Sequence, residues 1–265
     1  MHIVVAAELA TPIDAEAAAL AKDLGTTAYE ERLKLVGGLP AVIISSAAAG
    51  PSLSLNDKMR ARGHRSFAVP AEDVVPSDVM IAPKRFALEP DALVSADDPS
   101  LRLPYADVLG IFRAMHSTRT ELHTETKEKK FSMGRALVTG GIVMSKTTTK
   151  GHTSVSNERE QLLYLFRASG QTPWCFWERG TNYGGLGKEM LPSSAQSFLA
   201  LIGKLRQLAP QAVYDERLLT PRGAPNRPVR VGGGGDAVSS SSGGGVDLLA
   251  HVIALTIAEK RGLSF

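Results

Sequence analysis

Residues 140–147 (GGIVMSKT) come within one position of the phosphate loop G-x-x-x-x-G-K-[ST], with Ser145 standing where the second glycine belongs. Such a loop turns backbone N–H groups inward ahead of a helix that starts at the Lys-Thr pair. Here TTTKGHTSVS follows, a strand composition, so the plainer reading is a hairpin turn leading into an exposed strand. Residues 180–188 (GTNYGGLGK) are glycine-rich but lack the G-x-G-x-x-G spacing of a dinucleotide loop. The histidines His2, His64, His116, His123, His152 and His251 include no i, i+4 pair, and none stands beside a cysteine. No metal site and no cofactor is therefore expected. Cys175 lies between Trp174 and Phe176 in an apolar run, where a thiol is ordinarily an inert core group. No G-x-S-x-G elbow or paired-carboxylate signature appears, so no catalytic residue is assigned. An enzyme whose site is assembled from distant residues remains an alternative.

Two groups of residues suit binding better than catalysis. In a strand, Trp174 and Phe176 point one way and Cys175 and Trp177 the other, so one set belongs to a core and the other is a candidate partner surface. Lys127, Lys129, Lys130, Lys146 and Lys150 make the central region locally basic and are candidate contacts for anionic lipid, although Glu121, Glu125 and Glu128 are interleaved among them.

These residues need elements to hold them. Residues 1–80 read as a small α/β module in the order βααβαβ: a strand at 3–6, helices at 13–24 and 29–36, a strand at 41–45, a helix at 53–62 and a strand at 65–69. Asp73, Pro76, Ser77, Asp78 and Pro83 mark a boundary within residues 71–84. Residues 84–219 then carry short strands with turn signals between them. They end in a helix capped by Ser193 or Ser194, with Phe198, Leu201, Ile202, Leu205 and Leu208 on one stripe. Residues 220–245 are rich in Pro, Gly and Ser and predict a flexible linker. Residues 246–265 predict a terminal amphipathic helix that must dock on its own domain, on a second copy, on a partner or flat on a membrane. The slack of the linker favours an intermolecular contact, with Leu249 and Val252 near its centre.

The strand followed by DALVS and LPYADVLGIF, with the helix after the strands, resembles the bacterial PH-like domains over residues 84–210. That resemblance implies a strongly bent β-barrel capped by one helix, used for protein or lipid contacts. The segment LGTTAYEERLKLVGGLPAVIIS, a helix and then RGHRSFAV resembles the C-terminal domain of ribosomal protein L7/L12 and the ClpS adaptors, which implies a protein-binding module. The fold class expected is α+β.

Composition bounds the rest. With 265 residues and 43% hydrophobic content the chain can bury a sizeable core, and a net charge of +3 gives no electrostatic reason to expect nucleic acid. The single cysteine permits a reducing compartment. The opening MHIVVAAELATPIDAE carries Glu8 and Asp14 and no basic stretch, so a secretory signal is not expected. No run approaches the ~20 apolar residues of a bilayer span. These readings converge on a cytoplasmic, non-catalytic adaptor or scaffold that contacts other proteins. Peripheral binding to an anionic membrane is the alternative, and the tail helix is the route to a homo-oligomer.

Overall fold

The strand IVVAA near the start of the chain is apolar at every position, which is the signature of a strand covered on both faces. In the computed structural model of the protein, β1 (His2–Glu8) is buried on both sides. The described backbone covers residues 1–131, 145–220, 227–231 and 236–263, with side chains described outside residues 119–157 and 227–241. β1 lies between β2 (Ala41–Ser46) and β3 (Arg65–Pro70) and is antiparallel to both. Val4 and Ala6 pack toward α1 (Ile13–Leu24), α2 (Ala28–Val36) and α3 (Ala49–Ala61). Ile3, Val5 and Ala7 face the other way, into a different core. A buried ionic cluster ties this layer together: Arg62 binds Glu16 through Nε at 3.0 Å and Nη2 at 2.6 Å, and His64 Nε2 lies 2.5 Å from the same carboxylate.

The described chain groups into a larger unit, Met1–His116, Arg159–Asn226 and Ser242–Phe265, and a smaller one, Ser117–Glu158 and Arg227–Ser241. In the larger unit β4 (Phe86–Leu88), β5 (Ala92–Ser95) and β6 (Arg102–Pro104) form an antiparallel meander. β7 (Val108–Phe131) is followed by β8 (Ser145–Arg167) and β9 (Trp174–Trp177), and β10 (Val213–Leu218) pairs parallel to β7. On β8 the alternation is clean. Leu163 and Leu165 face α4 (Ser194–Leu208), while Leu162, Tyr164 and Phe166 face the opposite core. Gly185 lies so close to β4 that a Cβ there would stand 2.2 Å from the Phe86 carbonyl oxygen.

That opposite core is filled by α5 (Gly243–Lys260). Its buried residues run round the helix, from Val246 and Leu248 to Ile253 and Ile257, and join Ile3, Val5 and Val69 of the first sheet to Leu109, Phe112 and Tyr164 of the second. Both sheets therefore share one helix as their common filling.

This arrangement changes several expectations. The tail helix starts at Gly243 and is buried nearly all round, because its apolar residues do not keep to one stripe, so it is an internal helix and not an amphipathic one. Leu249 and Val252, expected at a contact with another molecule, are 2% and 0% exposed inside the chain's own core. The break expected within residues 71–84 is not a boundary: Met80 is buried, and Ser77 is bonded to Asp247 of α5. Within residues 220–245, β11 (Arg227–Val231) and β12 (Asp236–Ser241) pair antiparallel in the smaller unit, and β12 pairs with β7. Pairing of this kind uses backbone groups alone, so a serine-rich segment serves where an edge is offered. The rest of the expected linker, residues 221–226 and 232–235, lies outside the described residues. The chain is mixed helix and sheet, as expected, but its described sheets are open and none closes into a barrel. A sheet with helices on both faces has no need to curl over itself to bury them.

Candidate functional site

The side chains of α2 leave an apolar stripe on its outer side while Leu35 and Glu31 turn inward. The helix is well started: Thr27 accepts from the Glu30 N–H at 3.2 Å and Glu30 accepts from the Thr27 N–H at 2.9 Å, a reciprocal capping box. Glu31 is turned inward one turn before the buried Leu35, and accepts from Lys34 Nζ at 2.8 Å and Thr26 Oγ1 at 2.9 Å. Its apolar residues Tyr29, Leu33 and Val36 are 69%, 52% and 43% exposed. Their spacing of four and three puts them on one outward stripe. Asp14 of α1, bonded to Arg32 at 2.6 Å, stands beside that surface.

A second feature is a cavity of about 500 Å³ at the free edge of β3, between α3 and α5. Phe67, Val69, Phe166 and Leu255 make it apolar, and Asn56, Asp73 and His251 supply polar groups. The Arg60 guanidinium lies over the Phe67 ring at 5.7 Å and donates to the Ser66 carbonyl at 3.0 Å. Burial pushes His251 below the usual imidazole range, against the opposing pull of Asp73.

A third feature is sealed inside the core. Tyr164 Oη donates to Asp247 Oδ1 at 2.5 Å, and the Ser77 N–H and hydroxyl donate to Oδ2 at 3.0 and 3.2 Å. The tyrosine's single proton is spent on Asp247, so His116 Nε2, 2.7 Å from Tyr164 Oη, carries a hydrogen and donates. Burial lowers His116 to about 4 and keeps it neutral. Burial likewise raises Asp247 and Tyr164, and takes the Cys175 thiol, beside the Ser77 carbonyl, up to about 12. These shifts run against a nucleophilic thiolate.

Trp174, expected in a partner surface, is buried against α4, and Trp177 is half-buried and stands edge-on to His116 with ring centroids 5.1 Å apart. Both faces of β9 are core because a helix covers each side of its sheet. The side chains of Lys127, Lys129, Lys130, Lys146 and Lys150 lie outside the described residues. Among the described residues no group of three or more His, Cys, Asp or Glu is placed to hold a metal ion, and no helix is long and apolar enough to cross a membrane. Sequence reasoning passed over Tyr29, Leu33 and Val36. Their spacing was visible, and the missing clue was that Glu31 takes the inward side.

Set against known protein families, curated proteins and solved structures, the chain gives no match in any of the three.

Proposed function

We propose that the protein is a non-catalytic adaptor whose N-terminal helices dock on a partner protein. The observation that carries this reading is the outer stripe of α2, with Tyr29, Leu33 and Val36 exposed on the side opposite the buried Glu31 and Leu35. Exposed apolar side chains scattered singly are ordinary, but a stripe at i, i+4 and i+7 is the pattern by which a helix lies in a partner's apolar groove. Burying such side chains is worth roughly 1.5–3 kcal/mol each, enough for three of them to anchor a contact. The resemblance of residues 84–210 to PH-like domains, and of the N-terminal region to protein-binding α/β modules, points the same way.

The test pairs Leu33→Asp with Tyr29→Ser in the full chain. Affinity purification from the native host, read by mass spectrometry, should lose a specific protein that the unaltered chain captures. The melting temperature should stay within about 2 °C, since surface substitutions away from special features cost little. An unchanged set of captured proteins defeats the reading.

A further inference from the structure

The register of β3 on β1 decides which of its backbone groups are already used. The Ala71 N–H donates to the Met1 carbonyl at 2.7 Å, so residues 1 and 71 form a hydrogen-bonded pair. Pairs of this kind recur every second residue in an antiparallel ladder. With Ile3 opposite Val69 and Val5 opposite Phe67, Val69 and Phe67 are bonded to β1, and Ser66, Ala68 and Pro70 turn their backbone groups away from it. Pro70 fits this assignment, having no N–H to give.

Those outward groups are not equally available. The Ser66 carbonyl accepts from Arg60 Nη1 at 3.0 Å, and the Pro70 carbonyl accepts from the Asp73 N–H at 3.1 Å. The Ala68 N–H and C=O have no partner among the described residues, and Ala68 is half-buried on the wall of the cavity at the β3 edge. A backbone donor and acceptor on one residue, facing a cavity, is the hydrogen-bonding half of a strand pair.

We propose that this edge takes an extended peptide as a short added strand, centred on Ala68. The guest residue opposite Ala68 bonds to its N–H and C=O. Directly opposed residues share a face of the sheet, so the guest's neighbours, opposite Phe67 and Val69, enter the apolar part of the cavity beside Phe166 and Leu255. The residue between them points toward Asn56 of α3. The recognised chemistry is thus a short apolar–hydrophilic–apolar segment in extended form. Pro70 and the Arg60–Ser66 bond close the ladder on either side, which keeps the guest short and guards the edge against longer pairing. This surface is separate from the α2 stripe.

A displayed library of random octapeptides, selected on the full-length protein, supplies the probe. Selected peptides should weaken at least tenfold when the residue opposite Ala68 is N-methylated, and at least tenfold on the Ala68→Pro variant. That substitution removes the outward N–H and leaves the β1 ladder intact. Exchange of the Ala68 amide hydrogen in the unaltered protein should slow at least tenfold on adding the peptide, a readout that does not depend on how the variant folds. The proposal is overturned if the selection returns no binder, if binders ignore N-methylation, or if the Ala68 amide is already protected in the free protein. The Leu33→Asp variant should bind these peptides normally. An unchanged set of captured host proteins in that variant, with peptide binding kept, would therefore count against the α2 reading alone, whereas loss of capture with no peptide binder selected would count against this one alone.

Discussion

Tyr164 of β8 and Asp247 of α5 are joined by a hydrogen bond of 2.5 Å in the middle of the core, between residues 83 positions apart in the chain. Asp247 also takes both donors of Ser77, so a single carboxylate fixes the central helix to a strand and to the segment after the first sheet. Asp247→Ala leaves the Tyr164 hydroxyl and the Ser77 donors buried and unsatisfied. Each such group costs about 1–3 kcal/mol, so a loss of roughly 3–5 kcal/mol is expected in urea unfolding. Tyr164→Phe should cost less, about 1–2 kcal/mol, because Ser77 still serves Asp247. If Asp247→Ala costs under about 1 kcal/mol, α5 is held by apolar burial alone.

The same cluster makes stability depend on pH. The folded state holds His116 at about 4, below its ordinary 6.5, so between these values the unfolded chain binds more protons. The His116 contribution is then complete above pH 6.5 and is lost as pH falls toward 4, by up to about 3 kcal/mol. Asp247 works the other way. Its folded carboxyl is raised by burial, so its contribution is fullest at low pH and declines as pH rises through the raised value. Tyr164 and Cys175, which face Asp247, are both raised and stay protonated across this window, and the Asp78 charge adds to the rise of Asp247. Urea unfolding from pH 4 to 7 should show the unaltered protein weakening below 6.5, and His116→Gln with a shallower slope, the remainder coming from the buried His251. Identical slopes would place the pH dependence elsewhere.

On α4, Leu201 and Leu205 are buried against the sheet, while Leu199 of the same helix is exposed. Leu201→Ala and Leu205→Ala should each lower stability by ~2–5 kcal/mol, whereas Leu199→Ala should stay within about 0.5 kcal/mol. Equal effects at all three positions in thermal melts would mean that α4 does not pack as described.

Local periodicity made some of this legible in advance. The stripe Phe198, Leu201, Ile202, Leu205 and the Ser193 cap placed α4 correctly, because one amphipathic face has one meaning. The order of elements from β1 to β3 was readable for the same reason. The role of α5 was not. An apolar helix after a Gly/Ser-rich stretch reads as a tail, and only the tertiary structure shows that β1 and β8 each present an apolar face with nothing else to cover it. The apolar run of β1 did carry that information, since a strand with no polar face needs cover on both sides. Ser77 read as linker chemistry, yet its polarity is what lets it bond the buried Asp247. The edge at Ala68 was hidden entirely, because backbone availability depends on register, which no side-chain pattern fixes to the residue.

Removing α5 tests the architecture most directly. Deletion of residues 243–265 takes away Val246, Leu248, Leu249, Val252, Ile253 and Ile257, all buried. At roughly 1.5–3 kcal/mol for each side chain, the loss is about 10 kcal/mol or more, as large as the whole stability of an ordinary domain. It also uncovers Ile3, Val5 and Val69 on one sheet and Leu109, Phe112 and Phe166 on the other, two apolar faces that water would then meet together. The truncated chain should therefore show no cooperative melting transition and should bind a hydrophobic dye. A synthetic peptide of residues 243–265 added in trans should restore the transition, whereas Asp247→Ala in that peptide should restore it poorly, since the carboxylate fixes the helix between the sheets. A truncated chain that melts cooperatively near the temperature of the full protein would mean that α5 is an accessory, and that each sheet buries its inner face in some other way.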